Sequence, residues 1–529
     1  MIHQPPSKNN PEGIILYNQD DFNGLNLGFA TFAYIKELTK SSWQRCINVF
    51  RAEKSLCPSH STVAVTITAG KTVSAVMVNG VIDRSKNNGN AWMIEAGAKI
   101  HQFTGVGLSP ALDVDAAFPI TISHGGHTTP VGEDIAIIPL TAGAAIVYSF
   151  NDTTDGDVGY VALDGTGQND DWFSTLATGS ILSKLYPHPL IIGDDKYLYI
   201  GDGNTLRWVA PDATASSNST IVPVGYIIKC FSKSDTHLII YIEKQNVSTS
   251  TVATKGECYA HYWNYSATRA DYVKIINDNQ VTSAGNWQGL QFCFTIGGNA
   301  SYYPVTHQSK MHILEGGEYK TIFTFPETPP VLGGWDIYGN MLHFLAGTTL
   351  YSFGDQSVGI KNIVNSIGYI ASGVSGMCKG FNGTDLHLSA GSGASLGILK
   401  IGTQSPITFS SNAAWRGVMA EPIFPKGMKG QIDQIEVSFK EAVVAANSLK
   451  FTLQIDTDFG DTTTTIIDAM TTVSANKKII YKSLNSSGAS LPSFNSLKPI
   501  VQYSAGSGTT EAQKVNYIKI YYSNIPIVV

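Results

Sequence analysis

One short hairpin recurs along this chain, and a chain that repeats one hairpin must stack its copies or close them into a ring. The clearest copy is Met341 to Gly354, MLHFLAGTTLYSFG. Leu342 and Phe344 alternate with other residues, Ala346-Gly347 makes a tight turn, and Leu350 leads a second strand. Alternation with period two suits a half-buried strand, and glycine tolerates the positive φ that a tight turn needs. The plan returns in WMIEAGAKIHQF (Trp92 to Phe103), IAIIPLTAGAAIVYSF (Ile135 to Phe150) and YLYIGDGNTLRWV (Tyr197 to Val209). It returns again in FCFTIGGNASYYPV (Phe292 to Val305) and LHLSAGSGASLGILKI (Leu386 to Ile401).

With Gly97, Gly143, Gly203, Gly298, Gly347 and Gly391 as markers, the successive gaps are 46, 60, 95, 49 and 44 residues. The gap of 95 is about twice its neighbours and must hide a unit. HLIIYIE (His237 to Glu243) and ECYAHYW (Glu257 to Trp263) supply its two strands, with the polar insert Lys244 to Gly256 in place of a tight turn. Units repeating every 40–50 residues or so match four-stranded propeller blades. The expectation is an all-β chain: a β-propeller of about seven blades over residues 14–414, then a small antiparallel β-sandwich over residues 415–529.

Composition agrees with that class. Of 529 residues, 43 % are hydrophobic and only 14 % charged, which argues for a large core and against disorder. The 51 glycines and 24 tyrosines suit strands and turns, and no helical heptads stand out. The net charge of −6, without a Lys/Arg cluster, disfavours a groove that tracks nucleic acid. No apolar run of about 18 residues occurs, so membrane insertion is not expected. The opening MIHQPPSKNNPEG lacks the basic-then-apolar pattern of a signal peptide. Cys46, Cys57, Cys230, Cys258, Cys293 and Cys378 show no CxxC spacing and read as buried reduced thiols of a cytosolic folding compartment.

In chain order, residues 1–13 carry Pro5, Pro6 and Pro11 and read as an extended arm that a neighbouring subunit could order. Ile14 to Tyr17 is a short strand, either an ordinary first strand or one that closes the ring on the last blade. Ser61 to Val78 reads as a strand pair around Gly70, the outer half of the first blade. FPETPPVLGGW (Phe325 to Trp335) reads as a linker between blades. Beyond Trp415, Ile435, Val437 and Phe439, then Phe451, Leu453 and Ile455, alternate with polar residues, and VNYIKIYY (Val515 to Tyr522) forms a closing strand. These longer strands suggest the sandwich.

Chemistry is harder to find. His124-Gly-Gly-His127 could seed a metal site, but no third ligand follows at a usable spacing, and a turn is preferred. Asn151 to Asp157 resembles a calcium loop, yet Ala162 stands where a bidentate Glu is needed, so an Asp/Gly turn is again preferred. Asp456, Asp458 and Asp461 read the same way. Gly393-Ala-Ser395-Leu-Gly397 matches GxSxG but runs into a strand where that motif needs a helix. The sequons at Asn246 and Asn299 carry no weight without a signal peptide. No catalytic, cofactor-binding or metal-ligating residue is assigned, and no cofactor is expected.

Taken with the run WDIYGNMLHFLAGTTLYSFG (Trp335 to Gly354), the chain resembles β-propeller virion structural proteins of tailed bacteriophages, of the tail nozzle, ring or tail-tip type. The resemblance covers the fold plan over about residues 90–404 and carries over no functional residue. It implies a non-enzymatic subunit, made in the host cytoplasm and placed in the virion tail. Its partners would be copies of itself in a ring-like homo-oligomer, other virion proteins, and DNA touched passively in a channel. Two rival readings are a carbohydrate-binding adhesin propeller using exposed Tyr and Trp, and a polysaccharide-degrading enzyme whose carboxylate pair is not visible in one dimension.

Overall fold

A computed structural model describes residues 14–527 apart from connecting stretches, the longest being 20–27, 30–41, 245–256, 298–307 and 403–412. The chain divides into two compact units, one of residues 63–349 and 370–403, the other of residues 1–62, 350–369 and 404–529.

The first unit is a β-propeller built from successive antiparallel sheets. Its sheets open in turn with Met77–Ile82, Val131–Leu140, Leu190–Ile192, Tyr226–Lys233, Gln280–Trp287, Trp335–Tyr338 and Ser375–Cys378. The opening strands of the first five sheets lie side by side in sequence order, and Trp335–Tyr338 lies beside Ser375–Cys378, which returns to Met77–Ile82. Several hairpins read from sequence lie within single sheets. Ala91–Glu95 pairs with Lys99–Thr104, Leu198–Asp202 with Thr205–Val209, Leu238–Lys244 with Cys258–Trp263, and Asp385–Ala390 with Gly397–Gly402. Apolar clusters fill the spaces between sheets, as where Trp92, Ile94 and Ile100 of the first meet Ile135, Ile146 and Tyr148 of the second. Sheets that bury both faces need apolar residues at nearly every position, which is why Leu238–Lys244 reads LIIYIEK.

Three local expectations are corrected. The turn at Gly143 joins the first and second strands of its sheet, whereas Gly97 and Gly203 join the second and third. The true counterpart is the Asn151–Gly156 turn, and this offset explains the uneven gaps of 46 and 60 residues. The partner of Leu290–Gly297 is Gln308–Glu315, further along than Asn299 to Val305, which lie outside the described residues. Ser61 to Val78 is not a strand pair. Val63–Ala64 is the outer strand of the last sheet, Thr66–Ile67 joins the edge of the first, and Met77–Ile82 is that sheet's innermost strand.

The second unit holds the sandwich, and its composition corrects the boundaries expected at 14, 414 and 415. Ile14–Gln19 does not close the propeller; it pairs with Val515–Pro526, Ile14 opposite Tyr522. Val63–Ala64 performs the closing role instead. One sheet runs Lys478–Lys482, Met428–Phe439, Val515–Pro526, Ser55–Pro58, Val49–Ala52. The other runs Gly28–Phe29, Ser42–Ile47, Ala413–Gly417, Leu497–Ser504, Lys450–Thr457, Thr462–Met470. The alternating residues Ile435, Val437, Phe439, Phe451, Leu453 and Ile455 share one core with Trp415, Val501, Ile518 and Ile520. Period-two patterning therefore assigned the faces correctly. Strands near residue 14 and residue 520 cannot be matched by local pattern, because nothing in either marks its partner.

Candidate functional site

Residues from the opening strands of the first six sheets line a cavity of about 620 Å³, among them Asn79, Asp134, Ser232, Lys233, Asn286 and Trp335 with apolar neighbours. That volume is in the range of small-molecule sites. The Phe325 to Trp335 stretch, expected as a plain linker, reaches into it. Ser283 Oγ donates to the Leu332 carbonyl (2.9 Å), and the Gly333 N–H donates to the Val78 carbonyl (3.2 Å). A Cβ at Gly333 would lie 2.5 Å from the Val78 oxygen, so glycine is required for this approach.

The polar lining is engaged in holding sheets together. Asp134 is 2 % exposed and sits in the second sheet. It accepts from Asn79 Nδ2 of the first sheet (2.5 Å), from the Leu190 N–H of the third (2.6 Å) and from the Ile135 N–H (2.8 Å). Ser232 donates to Gln291 Oε1 (2.8 Å), bridging the fourth and fifth sheets, and Asn286 donates to the Lys233 carbonyl (3.0 Å). Nearby, burial pushes the Glu133 carboxyl up to about 7, although it accepts from the His188 N–H (2.8 Å) and Asn151 Nδ2 (2.6 Å). Shifted carboxyls are candidates for acid–base work. This one joins the second sheet to the approach of the third.

A second buried cluster lies in the first sheet. His101 Nδ1 is 2.7 Å from Asp113 Oδ2 and its Nε2 is 3.3 Å from Glu95 Oε2, with all three side chains fully buried. Ser74 Oγ donates to Glu95 Oε1 (2.5 Å), and the Ser74 and Ala75 N–H groups donate to Oε2 (2.9 and 3.1 Å). Burial opposes charge on both groups, but the Glu95–His101 pairing and the Ser74 bond hold the Glu95 carboxyl down at about 2. Burial likewise opposes the His101 imidazolium, and Asp113 and Glu95 outweigh it, so its pKa is raised. Glu95 therefore stabilises the fold above its ordinary 4.5 and loses that contribution as pH falls toward 2. His101 stabilises fully below 6.5 and loses its contribution as pH rises through its higher folded value. The expected result is that His101→Gln costs most stability between about pH 4.5 and 6.5, with the penalty narrowing on either side. Urea midpoints of both proteins across pH 3–9 check this; a pH-independent gap would contradict it.

Among the sequence candidates, His124, His127, Ser395, Asp458, Asp461 and both sequons lie outside the described residues. Asn151 to Asp157 forms a turn between paired strands. Asp152 Oδ1 accepts from the Thr154 and Asp155 N–H groups (2.5 and 3.0 Å), and Asp157 Oδ1 accepts from the Val158 N–H (2.7 Å). Asp456 pairs with Lys498 at 3.0 Å in the sandwich. Among the described residues, no group of three His, Cys, Asp or Glu side chains could hold a metal ion. Cys57, Cys230, Cys258 and Cys293 are buried free thiols, and burial pushes Cys57 up to about 12. Sequence reading missed Asp134. Its signal was an acid inside the apolar run GEDIAIIPL, where a buried carboxylate must find several donors.

No family model matches the sequence, and no curated protein does. Among solved structures the chain is similar to the Dos1 propeller, at 8 % identity and a TM-score of 0.40, covering 65 % of this chain and 95 % of that one. It is also similar to the Neurospora crassa Pan2 WD40 domain, at 8 % identity and a TM-score of 0.40, covering 62 % and 89 %. Chaetomium thermophilum Raptor gives 9 % and 0.41, over 65 % of this chain and 29 % of that one. At such identities the likeness concerns the fold alone.

Proposed function

We propose that this chain is a non-enzymatic structural subunit that acts by assembly, of the type that builds the tails of bacteriophage virions, with seven blades in its propeller. The supporting observation is the outer strand of the fourth sheet, Tyr272–Ile276. It is an edge strand that carries one charge, Lys274, and Tyr272, Val273 and Ile275 are 43 %, 46 % and 63 % exposed. Solitary proteins blunt such edges with charge or cover, whereas a subunit buries them against a neighbour. The lining carboxylate of the cavity, Asp134, already serves three donors, which favours a scaffold over a hydrolase with two working acids. A cavity of about 620 Å³ is far too small for a DNA duplex. In this reading any DNA passes between subunits of a ring, beside other virion proteins.

Ile275→Lys tests the reading. Wild-type protein is expected to associate with rising concentration in sedimentation velocity, and the variant to stay smaller at an unchanged Tm. Identical sedimentation of both proteins would count against this edge as the contact.

A further inference from the structure

The third and fourth propeller sheets meet in a run of aromatic rings that assembly does not require. Centroids are 5.2 Å apart for Tyr197–Trp208, 5.4 Å for Tyr199–Trp263, 5.9 Å for Tyr199–Tyr265 and 5.6 Å for Trp263–Tyr265. Tyr199 and Trp263 are buried beneath, while Tyr197, Trp208 and Tyr265 keep part of their surface in solvent.

Two features mark this rim as built. The turn that carries Tyr265 recurs after the third strand of three successive sheets, as Asp164-Gly165-Thr166, Asp212-Ala213-Thr214 and Asn264-Tyr265-Ser266. In each, Oδ1 of the first residue accepts from the N–H of the third (3.0, 3.0 and 3.1 Å) and from its hydroxyl (2.7, 2.7 and 3.0 Å). The middle residue has positive φ: 82° at Gly165, 64° at Ala213 and 69° at Tyr265. Glycine adopts that conformation freely, but a bulky aromatic does so only when its surroundings hold it there. The second feature is Gly193, where a Cβ would lie 2.7 Å from the Tyr199 ring and 2.9 Å from the Tyr265 ring. Beside the rings, Lys233 Nζ stands 3.1 Å from Asp194 Oδ1, with the two side chains 41 % and 50 % exposed. Asp195 Oδ2 accepts from the Tyr199 hydroxyl at 2.5 Å.

We propose that this rim is a carbohydrate-binding site for a neutral hexose unit of a surface glycan. Partly exposed aromatic rings match the C–H faces of a pyranose ring, and a few placed polar groups fix its orientation. Asp194 offers acceptor oxygens and Lys233 donor protons side by side, which suits vicinal hydroxyls. Lys233 disfavours a cationic ligand, and Asp194 with Asp195 disfavours an anionic one. The inference stands apart from the assembly reading, since a monomer would carry the same rim.

The test is an array of neutral hexose-containing bacterial and mammalian glycans, probed with the labelled full chain. The strongest binder would then be titrated by intrinsic tryptophan fluorescence. Tyr265→Gly removes the ring and suits the positive φ, so binding is expected to weaken about tenfold or more. Asp194→Asn, a solvent-facing change, should weaken binding without touching the packing. Retention of no neutral glycan by the wild type would overturn the proposal. So would wild-type affinity in Tyr265→Gly, whatever its Tm, or in Asp194→Asn.

Discussion

Residues 415–529 produced alone are expected not to fold, although they hold most of the sandwich core. In the intact chain Val515–Pro526 is flanked by Met428–Phe439 on one side and by Ile14–Gln19 and Ser55–Pro58 on the other. Ala413–Gly417 likewise lies between Leu497–Ser504 and Ser42–Ile47. Starting at residue 415 strips strands from both sheets and opens two edges in the middle of the sandwich. It also removes Leu56 and Cys57, each 2 % exposed in the shared core. Loss of one large buried apolar side chain costs about 2–5 kcal/mol, against a typical total of about 5–15 kcal/mol. Far-UV circular dichroism of the fragment should show no cooperative melt, and co-expression with residues 1–62 should restore one. A cooperative transition in the fragment alone would show that the N-terminal strands are accessories.

Asp134→Ala is expected to be the most damaging single substitution in the cavity lining, at about 3–5 kcal/mol. Three donors converge on this carboxylate, and two of them come from the sheets on either side. Removing it leaves the buried Leu190 and Ile135 N–H groups without their acceptor, and each unmet buried group costs about 1–3 kcal/mol. Asp134→Asn keeps one acceptor oxygen and should cost less. Guanidinium midpoints of the three proteins check the ranking. Equal midpoints for wild type and Asp134→Ala would show that the sheets are held by apolar packing alone.

What was legible in the sequence follows from how far apart partners lie. Ile94 and Ile100, or Ile200 and Arg207, are neighbours in sequence and in the sheet, so alternation and a turn residue revealed their hairpins. Gly143 looked the same but joins a different pair of strands, because turn chemistry does not record a strand's place in its sheet. Ile14 opposite Tyr522 left no local trace at all. The sites were less legible still. Asp134 matters through donors contributed by Asn79 and Leu190, and Tyr265 through rings on another sheet. The repeated Asp/Asn-x-Ser/Thr turn was there to be read at 164, 212 and 264, and its aromatic middle residue was the visible departure.

The assembly reading is tested most directly by negative-stain electron microscopy of the purified 529-residue chain over a range of concentrations. It predicts closed or stacked rings whose population grows with concentration and falls in Ile275→Lys. Single subunits at every concentration, identical in the two proteins, would contradict it.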